Sequence, residues 1–90
     1  MTKTAFITGA TSGIGKSTAI HFALNGINLV LCGRRQDRLD ALKVELGKEV
    51  QVHTLNFDIR NKESVHAAIS TLPKEFAQVD ILINNAGNAH

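Results

Sequence analysis

The chain alternates short apolar runs with stretches of helical spacing. Ala5-Phe6-Ile7 is a continuous apolar run, and Ala19, Phe22 and Ala23 then stand at i, i+3 and i+4, with Ile20 and Leu24 beside them. This predicts a strand over about Lys3 to Thr8 and a helix running to about Asn25, with Gly26 placed for a left-handed cap. Asn28-Leu29-Val30-Leu31-Cys32 is apolar without alternation, as in a strand covered on both faces of a parallel sheet. Beyond Gly33-Arg34-Arg35, Leu39, Leu42 and Leu46 form one stripe of a second helix that ends at Gly47, while the charges from Arg38 to Glu45 fall mostly on a solvated face. Val50 to Phe57 predicts a third strand, and its alternation through Gln51 and His53 puts it nearer the sheet edge. Asp58-Ile59-Arg60 reads as a loop and Asn61 as the N-cap of a third helix carrying Val65, Ala68, Ile69 and Leu72, stopped by Pro73. Phe76 packs the return segment, and Val79-Asp80-Ile81-Leu82-Ile83 is a fourth strand ending in Asn84-Asn85-Ala86-Gly87.

Strand and helix thus alternate three times and close on a strand. Right-handed crossovers then give an α/β fold with a doubly wound parallel sheet, and residues 1–90 read as one domain. Ninety residues leave room for no second domain.

Composition narrows the class. The hydrophobic share of 43% and charged share of 20% are those of a globular chain. The ten Lys and Arg are scattered and the net charge is only +2, so neither a nucleic-acid partner nor a membrane surface is expected. The single cysteine, Cys32, allows no internal disulfide and suits a reducing compartment. The opening Met-Thr-Lys-Thr leads straight into the first strand, so no signal peptide is expected and the protein is read as cytoplasmic. His21, His53, His66 and His90 have no metal-ligand spacing, no metal is expected, and Cys32 has no neighbouring base that would make it a nucleophile.

The chemistry is concentrated in Thr8-Gly9-Ala10-Thr11-Ser12-Gly13-Ile14-Gly15, between the first strand and first helix. Glycines spaced G-x-x-x-G-x-G let the chain turn sharply, bring backbone close to a ligand and seat the helix on its strand. The helix start presents unpaired N–H groups and a positive dipole end, which suit a phosphate. The spacing differs from G-x-G-x-x-G, but the strand–turn–helix setting is that of a dinucleotide site.

Three motifs together, the glycine turn, Asp58-Ile59 after the third strand and Asn84-Asn85-Ala86-Gly87 after the fourth, resemble the short-chain dehydrogenases/reductases in order and spacing. The run Cys32-Gly33-Arg34-Arg35-Gln36-Asp37-Arg38-Leu39 is similar to a subgroup of NADP-dependent 3-hydroxy acid dehydrogenases that also oxidise serine and allo-threonine. The resemblance implies a Rossmann-like sheet with the strands present in the order 3-2-1-4, and residues 1–90 as one partial NADP-binding domain. It implies that Gly9, Ala10, Thr11, Ser12, Gly13 and Ile14, with Gly15 behind them, wrap the cofactor pyrophosphate and nearby ribose. Asp58 and Ile59 would hold the adenine, and Asn85, Ala86 and Gly87 would line the nicotinamide-side ribose; Asn84 would instead tie neighbouring backbone together. A bland reading stays open for some of these: Asp58 as a turn residue, and Asn84-Asn85 as a polar strand end.

The choice of nicotinamide cofactor follows from charge. An acid about 20 positions past the glycines would bind a ribose 2′-hydroxyl and repel a 2′-phosphate. At that place stand Gly33-Arg34-Arg35, and guanidinium groups suit a phosphate, so NADP is expected over NAD, with Arg34 first and Arg35 sharing the phosphate or stacking on adenine. The alternative is two arginines on a solvated helix start.

The family's acid/base tyrosine, the lysine four residues after it and the substrate-orienting serine lie beyond the Asn-Asn-Ala-Gly motif, and the sequence contains no tyrosine. No catalytic residue is therefore assigned. The chain is expected to be the NADP(H)-binding portion of an oxidoreductase that moves hydride to or from a small alcohol or carbonyl substrate, a 3-hydroxy acid in the subgroup, and that assembles as a homo-oligomer. The competing expectation is a non-catalytic NADP(H)-binding module or an inactive truncated fragment, whose fourth strand would be an open apolar edge.

Overall fold

A computed structural model describes residues 2–56 and 62–85 (of 62–64, the backbone only). Four strands, β1 Thr4–Thr8, β2 Asn28–Gly33, β3 Val52–Asn56 and β4 Ile81–Asn84, alternate with three α-helices, α1 Gly13–Leu24, α2 Gln36–Leu46 and α3 Lys62–Ser70. A 3-10 turn at Lys74–Phe76 precedes β4. The sheet order is β3-β2-β1-β4, all parallel, with Phe6 opposite Val30 on one side and Leu82 on the other.

The sheet is Rossmann-like as expected, and its burial explains the sequence patterns. All five residues of β1 are buried, as are Leu29 to Cys32 of β2, so the unbroken apolar runs belong to the two central strands. Ala5, Ile7, Leu29 and Leu31 point to one face, where Ala19 and Ala23 of α1 and Leu39, Leu42 and Leu46 of α2 cover them. Phe6, Val30 and Cys32 point to the other, against Val65, Leu72 and Phe76. The alternating third strand is at an edge, half-buried along most of its length. At the other edge β4 alternates between half-buried and exposed, and Leu82 is 52% exposed beside fully buried Phe6.

The helix ends also follow their residues. Gly26 has φ 75°, its N–H donates to the Ala23 carbonyl, and the Ile27 N–H reaches back to Phe22, closing α1 in a Schellman turn. Gly47, by contrast, stays right-handed at φ −64°. Leu24, placed beside the apolar stripe by spacing, is 71% exposed because α1 ends there. The expected N-cap Asn61 and the loop 58–60 lie outside the described residues.

Reciprocal bonds pin the start of β4 to β1: the Thr4 N–H donates to the Asp80 carboxylate at 2.9 Å and the Asp80 N–H to the Thr4 carbonyl at 2.9 Å. The Asn28 side chain accepts from the Gln51 N–H at 3.0 Å and joins β2 to β3. These anchors fix the register, and with it the level at which the strands' carboxyl ends emerge together.

Candidate functional site

The carboxyl ends of β1, β2 and β4 lie side by side, with Thr8 opposite Asn84 and Ile7 opposite Leu31. The chain leaves β1 toward β2 but enters β4 on β1's other side, so the strand order reverses at β1. That is where a doubly wound sheet leaves a crevice for a ligand.

The glycine turn occupies this end of the sheet. Gly9 has φ 63°, a left-handed conformation that favours glycine, and redirects the chain out of β1. The Ala10 N–H donates to the Cys32 carbonyl at 3.0 Å and fastens the turn to the end of β2. A Cβ on Gly15 would run into the Gly9 carbonyl oxygen and stand 3.1 Å from the Ala10 Cα, so α1 is seated on the turn as only glycine permits. Gly13 has φ 29°, and a Cβ there would meet nothing within 4 Å. Close packing and open space are thus divided between Gly15 and Gly13.

Ser12 is the N-cap of α1, yet its side chain does not cap the helix. Its hydroxyl and N–H both turn back to the Gly9 carbonyl, at 3.3 and 3.4 Å. No acidic residue stands in the first turn. The N–H groups of Gly13, Ile14 and Gly15 therefore have no intrahelical acceptor and face a site with positive dipole character. Ile14 is 77% exposed beside them.

At the neighbouring strand end, Gly33 lies against Thr11, whose Cγ2 would be 3.4 Å from a Cβ placed on it. Arg34 and Arg35 follow, both exposed, with Arg35 as the extended N-cap of α2. On the other side, the Thr8 hydroxyl donates to Asn84 Oδ1 at 2.8 Å, so Asn84 does join strand to strand. Asn85 is half-buried, and its Nδ2 is buried with no hydrogen-bond partner among the described residues. An unsatisfied amide of this kind costs about 1–3 kcal/mol unless something outside the protein completes it. A cradle that a Cβ would fill, an uncapped helix start and an orphaned amide at one end of the sheet fit a bound dinucleotide. Asp58, Ile59, Ala86 and Gly87, also expected at the site, lie outside the described residues.

Other reactive groups stand apart. Burial pushes the Cys32 thiol up to about 12, far from thiolate at neutral pH. His53 is held below its ordinary value by burial first and by the Lys43 charge second, and its ring lies 5.5 Å from that of Phe76. Among the described residues no group of three His, Cys, Asp or Glu could hold a metal, and no helix is long and apolar enough to cross a membrane.

One feature of the site is not carried by the glycine motif. Lys16 on α1 and Arg38 on α2 border a cavity with Thr11. The spacing of Arg38, Ala41, Leu42 and Glu45 at i, i+3, i+4 and i+7 is the sequence signal for that face of α2.

A doubly wound sheet with a glycine turn at its reversal point defines a nucleotide-binding protein of the α/β class. A model of the short chain dehydrogenase family matches residues 3–90, and the chain belongs to that family. It is 52% identical over 89 residues to a sulfoacetaldehyde reductase of Chromohalobacter salexigens, covering 99% of this chain and 35% of that protein. It is 47% identical over 90 residues to an NADP-dependent 3-hydroxy acid dehydrogenase of Schizosaccharomyces pombe, covering 97% and 35%. Among solved structures, the L-sorbose reductase of Gluconobacter frateurii in complex with NADPH and L-sorbose superposes with a TM-score of 0.84 at 39% identity, covering 96% of this chain and 34% of that one. The chain spans about a third of the length of these relatives.

Proposed function

We propose that residues 1–90 form the NADP(H)-binding unit of a short-chain oxidoreductase that transfers hydride between the nicotinamide and a small alcohol or carbonyl compound. The observation that carries this is the pairing of an uncapped glycine turn with Gly33-Arg34-Arg35 on the adjoining strand end, without an acid at the strand tip. Gly9 to Gly15 would hold the pyrophosphate, and Arg34 and Arg35 the 2′-phosphate. Asp58 and Ile59 would bracket adenine, and Asn85, Ala86 and Gly87 the nicotinamide-side ribose. The likeness to relatives named for NADP dependence supports the cofactor. The substrate is proposed to be short and anionic: sulfoacetaldehyde and 3-hydroxy acids, for which two relatives are named, both carry an acid group near the reacting carbon. A homo-oligomer in the cytoplasm is proposed as the working form.

The cofactor assignment is tested by Arg34→Asp in the intact protein. Losing a charge-assisted phosphate contact is worth about 1.5–3 kcal/mol, roughly ten- to hundredfold in affinity, and the new carboxylate adds repulsion. NADP binding should fall by at least that factor while NAD binding holds or improves, as read by titrating both cofactors. An unchanged NADP/NAD ratio would sink the assignment. A non-catalytic NADP(H)-binding module is the second reading; cofactor binding without turnover of any carbonyl by the intact protein would support it.

A further inference from the structure

Helix α1 ends at Leu24, and Asn25-Gly26-Ile27 carries the chain on to β2 at Asn28. Among the chain's asparagines only Asn25 is followed by glycine. Leu24, Asn25 and Gly26 are all exposed, and a Cβ placed on Gly26 would meet nothing within 4 Å. We propose that Asn25 is a modification site, at which the intact protein deamidates to aspartate and isoaspartate whenever the carboxyl-terminal cap of α1 opens.

The reaction needs only water. The Gly26 nitrogen gives up its proton to solvent and bonds to Asn25 Cγ; the Cγ–Nδ2 bond then breaks, and Nδ2 takes a proton from solvent and leaves as ammonia. The product is a cyclic imide, which water opens at either carbonyl. Breaking the bond from nitrogen to Cγ leaves aspartate. Breaking the bond from nitrogen to the Asn25 main-chain carbonyl carbon leaves isoaspartate, whose chain runs through Cβ and Cγ. Nothing is oxidised or reduced: water enters and ammonia departs. Glycine is the best neighbour for such an attack, because no Cβ shields its nitrogen, and at φ 75° the turn favours glycine in any case. The open space around Gly26 lets the ring form without displacing other groups.

The folded turn holds both reacting groups back. Asn25 Nδ2 donates to the His21 carbonyl at 2.8 Å, and the Gly26 N–H donates to the Ala23 carbonyl at 3.0 Å. Attack waits for the last turn to fray, which exposed helix ends do at little cost. Two hydrogen bonds of ordinary net strength slow it about five- to hundredfold relative to an unfolded chain. Once modified, the cap does not re-form as it was. Aspartate has no N–H for the His21 carbonyl and sets a carboxylate at the negative end of the α1 dipole. Isoaspartate adds an atom to the link before Ile27, whose N–H reaches the Phe22 carbonyl at 3.1 Å and whose side chain, like that of Phe22, packs on the core. Deamidation thereby loosens the carboxyl end of the helix whose amino end is the glycine turn.

The test incubates the intact protein, and a peptide of residues 21–29 too short to hold a helix, in the same mildly alkaline buffer. Peptide mapping by mass spectrometry locates the product, and labelling by an isoaspartyl methyltransferase measures isoaspartate. Asn25 should convert first among the asparagines, about five- to hundredfold more slowly in the protein than in the peptide. Asn25→Gln, whose longer side chain closes the ring poorly, should abolish the signal at this position. Asn25→Asp, which carries one of the products from the start, should lower the melting temperature by about 2–4 °C. Earlier conversion at another asparagine, or an undiminished isoaspartate signal in Asn25→Gln, would overturn the inference. So would a rate equal to the peptide's, since the two hydrogen bonds would then gate nothing. A rate suppressed more than about a thousandfold would overturn it too, because only global unfolding would then free Asn25. An Asn25→Asp protein that melts like wild type would show that the cap does not depend on the amide, and would count equally against it.

Discussion

Gly15→Val is expected to lose cofactor binding and a large share of stability together, whereas Gly13→Val loses binding and keeps its fold. The two glycines are two residues apart but meet different surroundings. A Cβ at Gly15 collides with the Gly9 carbonyl oxygen, stands 2.8 Å from the Gly9 carbonyl carbon and 3.1 Å from the Ala10 Cα. All three are backbone atoms of a turn fastened to β2 by the Ala10 to Cys32 hydrogen bond, so none can step aside as a flexible side chain would. Relief requires α1 to lift from the sheet, uncovering Ala19 and Ala23 on their side of the core. Adding a methylene to a tight core costs about 1–3 kcal/mol, and a collision with backbone that cannot step aside lies above that range, against a total of about 5–15 kcal/mol for a typical protein. At Gly13 there is open space, and the cost is conformational: φ 29° with a β-branched residue is worth about 1–3 kcal/mol of strain. The valine methyls would then stand where backbone N–H groups need a close anion. Melting temperatures, circular dichroism and NADP titration of the two variants decide between these roles. A Gly15→Val protein that melts like wild type would show that the helix seat is not tight, and a Gly13→Val protein with normal affinity would place the phosphates elsewhere.

Much of this was legible in the residues because strand burial and glycine geometry are local in origin. Leu29 to Cys32 could run apolar without alternation only if both faces were covered, and β2 is indeed covered on both. Gly26 announced a left-handed cap because little else takes φ 75° without strain. Strand ends shifted by one or two residues, since Asp80 reads as part of the β4 run but spends its carboxylate and N–H on Thr4 instead. The cavity of Lys16 and Arg38 was hidden for a different reason: it joins residues from two helices. Spacing on α2 alone puts Arg38 on a solvated face, which is true of its exposure, and only the packing of α1 beside α2 shows that it borders a cavity with Lys16. The same holds for Asn85, whose orphaned amide is a property of what surrounds it rather than of the motif that contains it.

A polypeptide of these ninety residues alone is expected to show no dehydrogenase turnover and to self-associate. The chemical half rests on proton transfer. Reduction of a carbonyl needs a proton delivered to the oxygen as hydride arrives at carbon, and a positioned general acid contributes about 10²–10⁴-fold. The sequence has no tyrosine, the group that serves this purpose in the family it resembles. Cys32 is buried with its thiol pushed up to about 12, and His53 is on β3 against Phe76, with two strands between it and β4. No titratable group of the described site stands in for the missing acid. The physical half rests on β4. Among the described residues it bonds to β1 along one side only, and Leu82 is 52% exposed on the face next to buried Phe6. A strand with an open hydrogen-bonding edge and apolar side chains is a template for another copy. Ninety residues bury too little surface to offset much loss of cover. Light scattering after size exclusion, together with NADPH consumption over a panel of short aldehydes, ketones and oxo acids, reads both halves. Species larger than a monomer, growing with concentration, and no turnover above background are the expected results. A sharp monomer peak that persists at high concentration would show that the β4 edge is protected by its own chain, and measurable turnover would show that the acid lies within these residues after all.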